Sequence, residues 1–253
     1  MRFRALTLAA ALAPASLGAQ ALPPHAYLPL EHWATPFIEH LIDRGLVRDP
    51  TPLTRPWTAG AVTRALAAAD STRLTPPERV TVRRILSELA APAASALASA
   101  TAEVGLRAAN FSRRLEWALR PGGPGNVSPQ GGFSLGMQFG PGVLWMHPRL
   151  EEQLDQDPDF ASRDQPLPGR FPEAYGGLRT RYFDFDVGLI QRNWGPPGQP
   201  GLLVSHWPLG YDHFYVDLGP PRARLSMLVA QLDALPDNSG DTAQRYFIAH
   251  RLR

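Results

Sequence analysis

The sequence predicts an α+β protein, a small N-terminal helical bundle followed by an antiparallel β-barrel wall of outer-membrane type, partial and of roughly eight strands. Three observations predict it. A secretory leader opens the chain, helical periodicity runs from residue 26 to about residue 100, and from Glu103 the pattern changes to a period of two. The expected division is a signal peptide over 1–21, a periplasmic helical bundle over 22–101 and a partial transmembrane β-barrel over 102–253.

Arg2 and Arg4 form a basic n-region, Ala5 to Ala13 an apolar h-region, and Pro14 precedes the small-residue stretch Leu17 to Ala21. This is the order of a signal peptide, with cleavage expected after Ala19 or Ala21. The apolar run is shorter than the ~20 residues that span a bilayer as a helix. With no cysteine in the chain, lipid attachment to a cysteine is excluded. No later apolar run reaches helical spanning length, so a mature chain in a membrane must cross it with strands.

The pI of about 9.3 does not mark a nucleic-acid binder. All 25 basic residues are arginine, and without Arg2 and Arg4 the arginines equal the 23 acids. No electrostatic footprint for nucleic acid remains.

Trp33, Phe37, Ile38, Leu41 and Ile42 recur at helical spacing, and Gly45-Leu46 follows them as a left-handed cap with its apolar contact. After the proline-punctuated turn Asp49 to Pro56, Trp57 and Thr58 lead into a short helix over Ala59 to Ala69. Thr75-Pro76-Pro77-Glu78 is a capping box that opens a third helix, with Val82, Ile85, Leu86 and Leu89 on its apolar face. The alanine-rich stretch from Ala90 to Ala102 reads as the end of this unit or a linker.

In Gly132 to Gly140 every odd position is large and apolar and every even one is glycine or polar, which a strand places on opposite faces. Leu115-Trp117-Leu119, Phe183-Phe185-Val187-Leu189, Leu225-Met227-Val229 and Tyr246-Ile248-Leu252 repeat the pattern. A soluble sandwich would turn these side chains into a core, whereas an outer-membrane barrel turns them to lipid. The leader favours the barrel. So do aromatics near strand ends (Trp117, Phe133, Phe139, Trp145, Trp194, Trp207) and unequal loops, of which the longest is expected over Glu151 to Gly176. The last strand stops in mid-pattern at Arg253, which suggests a chain cut short.

Two polar-aromatic clusters stand out. Arg192, Asn193 and Trp194 lie where a strand meets a glycine- and proline-rich turn, and His206, Trp207, Tyr211, Asp212, His213 and Tyr215 form the second. Planar donors beside an aromatic face suit a saccharide, and the same residues suit a structural turn with an interfacial tryptophan. No Gly-x-Ser-x-Gly elbow exists, and Asp155 to Asp159 lacks the glycine and glutamate of a calcium loop, since Phe160 and Pro166 hold those positions. Neither a metal site nor a cofactor is expected.

The segments Leu41-Ile42-Asp43-Arg44-Gly45-Leu46-Val47, Thr54-Arg55-Pro56-Trp57-Thr58, Arg192-Asn193-Trp194-Gly195-Pro196 and Leu202-Leu203-Val204-Ser205 together resemble the Wzi family of capsule-assembly proteins. The resemblance runs from about residue 26 to the end. It implies an outer-membrane barrel with a periplasmic helical bundle that acts as a lectin, without catalysis, for capsular polysaccharide at the cell surface. The turn departs from the family's form where Asn193 replaces a second aromatic. Expected partners are therefore surface polysaccharide and outer-membrane lipid. Two other readings are a porin-like barrel whose N-terminal unit grips the cell wall and a soluble periplasmic hydrolase. The first is prompted by Trp33, Ile38, Leu41, Gly45-Leu46 and Thr63-Arg64-Ala65, which also resemble an S-layer-homology repeat.

Overall fold

The computed structural model describes residues 22–89, 96–108, 127–151, 169–206, 210–220, 222–236 and 242–253. The segment read as a signal peptide, the run around Trp117 and the residue Trp207 lie outside them. Three helices come first, α1 (Thr35–Asp43), α2 (Ala59–Ala67) and α3 (Pro76–Leu89). Eight strands follow: β1 (Ala96–Ala108), β2 (Val127–Phe139), β3 (Gly142–Glu151), β4 (Gly169–Arg179), β5 (Phe183–Ile190), β6 (Tyr211–Leu218), β7 (Leu225–Pro236) and β8 (Thr242–Leu252).

The helical caps form as the sequence predicts. Gly45 takes φ +65°, its N–H bonds Ile42 O and the Leu46 N–H bonds Leu41 O, the paired arrangement that closes a helix through a left-handed residue. Glu78 accepts from both the backbone N–H and the hydroxyl of Thr75 at the start of α3. Ile38, Leu41, Trp57, Val62, Leu66, Ile85 and Leu89 meet in one buried core. No described helix is long and apolar enough to cross a membrane.

The strands pair in simple sequence order, each antiparallel to the next, as one eight-stranded sheet. Among the described residues the sheet is not closed into a barrel, and β1 and β8 are its two edges. The physical reason lies on the inner face. An eight-stranded barrel encloses little more than its own side chains, and here that face carries the helical unit.

Two boundaries differ from the sequence-based expectation. The first strand begins at Ala96, inside the alanine-rich stretch read as a linker. Ala98, Ala100 and Ala102 stand opposite Met137, Leu135 and Phe133, so the bulk that marks a strand is supplied by its neighbour. The expected loop over Glu151 to Gly176 is also shorter, because β4 already begins at Gly169. Its proline content misled: the β3–β4 register shifts between His147 and Arg149, and Pro172 falls at that irregularity, where a missing N–H is tolerated.

The sheet's polarity is inverted relative to a soluble sandwich. Phe133, Leu135, Met137 and Phe139 on β2, Phe214 and Leu218 on β6, Leu225 and Met227 on β7, and Tyr246, Ile248 and Leu252 on β8 are all exposed. Ser134 and Gln138, His213, Tyr215 and Asp217, and Ser226 and Leu228 alternate with them and are buried on the opposite face. The helical unit sits against that inner face. Gln138 accepts from the His25 N–H, and the Tyr175 hydroxyl accepts from the Tyr27 N–H at 2.7 Å. Trp145 and Trp194, expected among the outer aromatics, both turn inward. Gly136 makes room for the former, since a Cβ there would lie 2.8 Å from the Trp145 ring.

Candidate functional site

The inner face is held together by charge. Asp186 on β5 is fully buried and faces Gly177 of β4, where a Cβ would come within 2.6 Å of its carboxylate. Its oxygens accept from the Tyr27 hydroxyl at 2.7 Å, from Arg192 Nη2 at 2.7 Å and from Arg179 Nη2. Burial pushes the Tyr27 phenol above its ordinary value, so it donates as a neutral group. The Arg192 guanidinium lies 3.9 Å over the Tyr215 ring, and its Nε–H donates to His213 Nε2 at 2.6 Å. His213 therefore carries its own proton on Nδ1, which donates to Tyr211 O at 2.8 Å.

The next two residues of the motif clamp the helical unit. Asn193 exchanges two backbone hydrogen bonds with Arg55, at 2.8 and 3.1 Å. Its side chain spans the following turn, donating to Gln199 O at 2.8 Å and accepting from the Gly201 N–H at 2.6 Å. Trp194 lies under the Arg251 guanidinium, which in turn binds the Leu53 carbonyl and the Thr54 hydroxyl. Arg55 is itself fully buried between Glu39, Asp49 and the face of Trp57. Two of the four segments on which the Wzi resemblance rests, Thr54 to Thr58 and Arg192 to Pro196, are thus partners in one clasp.

The structure divides the predicted site residues. Arg192, Asn193 and His213 meet at the inner face, all of them buried. Trp194 is buried beside them, with its ring against Arg251. Tyr211 is half-buried, 5.0 Å from the His213 ring. Asp212 is on the outer face with Phe214, because the strand period separates it from its neighbours. His206 is half-buried in a different hollow beside Glu39 and Gln199. Among the described residues no three histidines or acids converge as a metal-binding group.

Asn193→Ala is expected to loosen the turn that follows the clasp while the backbone bonds to Arg55 remain. It leaves the Gly201 N–H and the Gln199 carbonyl without their partner, at a cost of about 1–3 kcal/mol. Denaturant titration of the folded protein checks this.

Beside the clasp lies a cavity of about 560 Å³ between the helical unit and the sheet. Arg64 from α2 and Arg179, Arg181, Arg192, Arg224 and Arg253 from the sheet side line it, with Asp184 and Asp217 as its acids. Asp217 is held by Arg224 and Arg253, and Asp184 by Arg224. A second hollow of about 750 Å³ shares Arg64, Arg224 and Arg253 and adds Arg48 and Arg73. Of these arginines, Arg192 stands out in the sequence as a site residue and Arg64 within the S-layer-homology resemblance, and none of the others does. The signal present was the use of arginine for every basic residue, since its planar fork suits carboxylates and phosphates.

His25 also lines the cavity and reports its field. Burial lowers its pKa first, and the nearby charges of Arg179 and Arg64 lower it further. His32 and His206 are likewise lowered, chiefly by burial. The unfolded chain then takes up protons more readily than the folded one once the pH falls below the ordinary value of 6.5. Stability contributed by these groups is complete above that value and is lost as pH falls through the lowered ones. Thermal unfolding followed from about pH 7.5 down to about pH 5 should show a midpoint that falls more steeply in the unaltered chain than in a His25→Gln variant, the difference being the contribution of His25.

The molecule is thus an up-and-down antiparallel sheet with an apolar outer face and a charged inner face clasped to a helical unit. No family model matches the chain, and no curated protein or solved structure is significantly similar to it.

Proposed function

We propose that the chain is an exported outer-membrane protein in which β1–β8 form part of a barrel wall and the helical unit is a plug on the lumen side. The observation that carries this reading is the inverted polarity of the sheet. Large apolar side chains alternate outward on β2, β6, β7 and β8, while the buried polar and charged ones face the plug. In water such a surface is a liability, and in lipid it is the ordinary arrangement.

The role we assign is non-catalytic retention of surface polysaccharide for attachment or capsule assembly, as the Wzi resemblance implies. The clasp supports it by holding Arg192 in the wall of an arginine-lined cleft of about 560 Å³, within the size range of ligand sites, while Asn193 and Trp194 tie the junction behind it. Arg192 lines that cleft directly.

Membrane fractionation and binding by the detergent-solubilised chain to the producing cell's own surface polysaccharide test this reading. Recovery with the outer membrane and saturable binding are expected. Recovery from a periplasmic extract without detergent would favour a soluble hydrolase, and ion conductance with no polysaccharide binding would favour a pore.

A further inference from the structure

We propose that the cleft between plug and wall is an anion site selective for acidic saccharide, one bearing carboxylate or phosphate groups along the polymer. This deepens the polysaccharide reading and rests on it.

The argument begins with a charge imbalance. Arg179 and Arg192 are both more than nine-tenths buried, and among the described residues Asp186 is the only carboxylate in ion-pair contact with either. Tyr27, the other acidic group in contact, donates a proton to Asp186 and supplies no charge. Two guanidiniums against one carboxylate leave a buried positive excess, which desolvation makes costly unless an anion approaches. The Arg179 Nε–H is buried, has no hydrogen-bond partner among the described residues, and belongs to a side chain that lines the cavity.

The rim adds to that excess. Arg64 and Arg181 stand exposed at the same cavity, whereas its acids Asp184 and Asp217 are already bound by Arg224 and Arg253. The adjoining hollow continues past Arg64 to Arg48 and Arg73. Of its acids, Asp49 is paired with Arg55 and bonded by the Trp57 indole, while Asp70 keeps its charge beside Arg73 and accepts from Thr72, which leaves the arginines of this hollow in excess. Arginines spaced along two connected hollows suit a chain that carries repeated negative charges better than a single ion.

The probes are an oligosaccharide of glucuronic acid, the same oligosaccharide with its carboxyl groups reduced, and inorganic phosphate, each titrated calorimetrically into the detergent-solubilised full chain. The acidic oligosaccharide is expected to bind in a salt-sensitive way. Reduction of the carboxyls, or Arg64→Ala with Arg181→Ala, is expected to weaken binding by about tenfold or more, the loss of charge-assisted hydrogen bonds. Both arginines are exposed at the rim, and equal melting temperatures would establish that the double variant folds. Should it not fold, the comparison of native and reduced oligosaccharide on the unaltered protein decides.

Equal binding of the reduced oligosaccharide would overturn the acidic selectivity and leave the polysaccharide reading standing. Phosphate binding that depends on Arg64 and Arg181, with no saccharide bound, would uphold the anion site and overturn the polysaccharide role. Binding of none of the three probes would overturn this proposal, and the producing cell's own polymer would still test the function.

Discussion

Asp186→Ala should detach the helical unit from the sheet. The substitution removes the one carboxylate shared by Arg179 and Arg192 and the acceptor of the Tyr27 hydroxyl. Two guanidiniums remain buried with no counter-charge. Removing one partner of a buried ion pair costs about 3–5 kcal/mol, more than the pair itself contributes, because the remaining charge stays desolvated. The cost falls on the junction, since Tyr27 belongs to the helical unit, Arg179 to β4, and Arg192 to the clasp. Limited proteolysis should therefore show early cleavage in the proline turn from Asp49 to Pro56, and denaturant titration a loss of the size given. An unchanged midpoint would mean that the arginines find solvent or another anion, and that Asp186 does not hold the junction.

Phe214→Arg should separate a lipid-facing wall from a water-facing one. Phe214 lies mid-strand on β6, about half exposed, between the inward-facing His213 and Tyr215. At the middle of a bilayer an arginine on the outer face of a barrel costs about 2–4 kcal/mol. On the surface of a protein in water the same change usually stays within about 0.5 kcal/mol. Folding into liposomes, followed by urea titration and by the fraction inserted, is expected to fall sharply for this variant. A protein that instead becomes more soluble and no less stable would belong in water.

Much of the architecture is legible in particular residues. Gly45 after Ile42, and Thr75 three residues before Glu78, specify helix ends through local hydrogen bonds that need no distant partner. Phe133, Leu135, Met137 and Phe139 specify a strand by parity alone. Where a strand lacks that signature the sequence misleads: Ala98, Ala100 and Ala102 look like a linker because their bulk is lent by β2. Pro172 looks like a loop because nothing local announces the irregularity that accommodates it.

The candidate site is less legible for a related reason. Arg192, Asn193 and Trp194 stand out as a motif, and so does Thr54 to Thr58, but their union runs through the backbone groups of Arg55 and Asn193. Backbone hydrogen bonds carry no side-chain signature. Nor does the sequence reveal that Tyr27 donates a hydrogen bond to Asp186, or that Arg64 of α2 lines one cavity with Arg179 of β4 and Arg181 of the turn after it.

By itself the sequence determined the kinds of element, their order, and the presence of one greasy and one polar face on each clear strand, because these follow from period and local capping. The tertiary structure alone decided that the greasy face points outward, that eight strands stay open around a helical unit, and that the arginines converge. Those outcomes depend on which surfaces bury each other, and burial is settled between residues far apart in the chain.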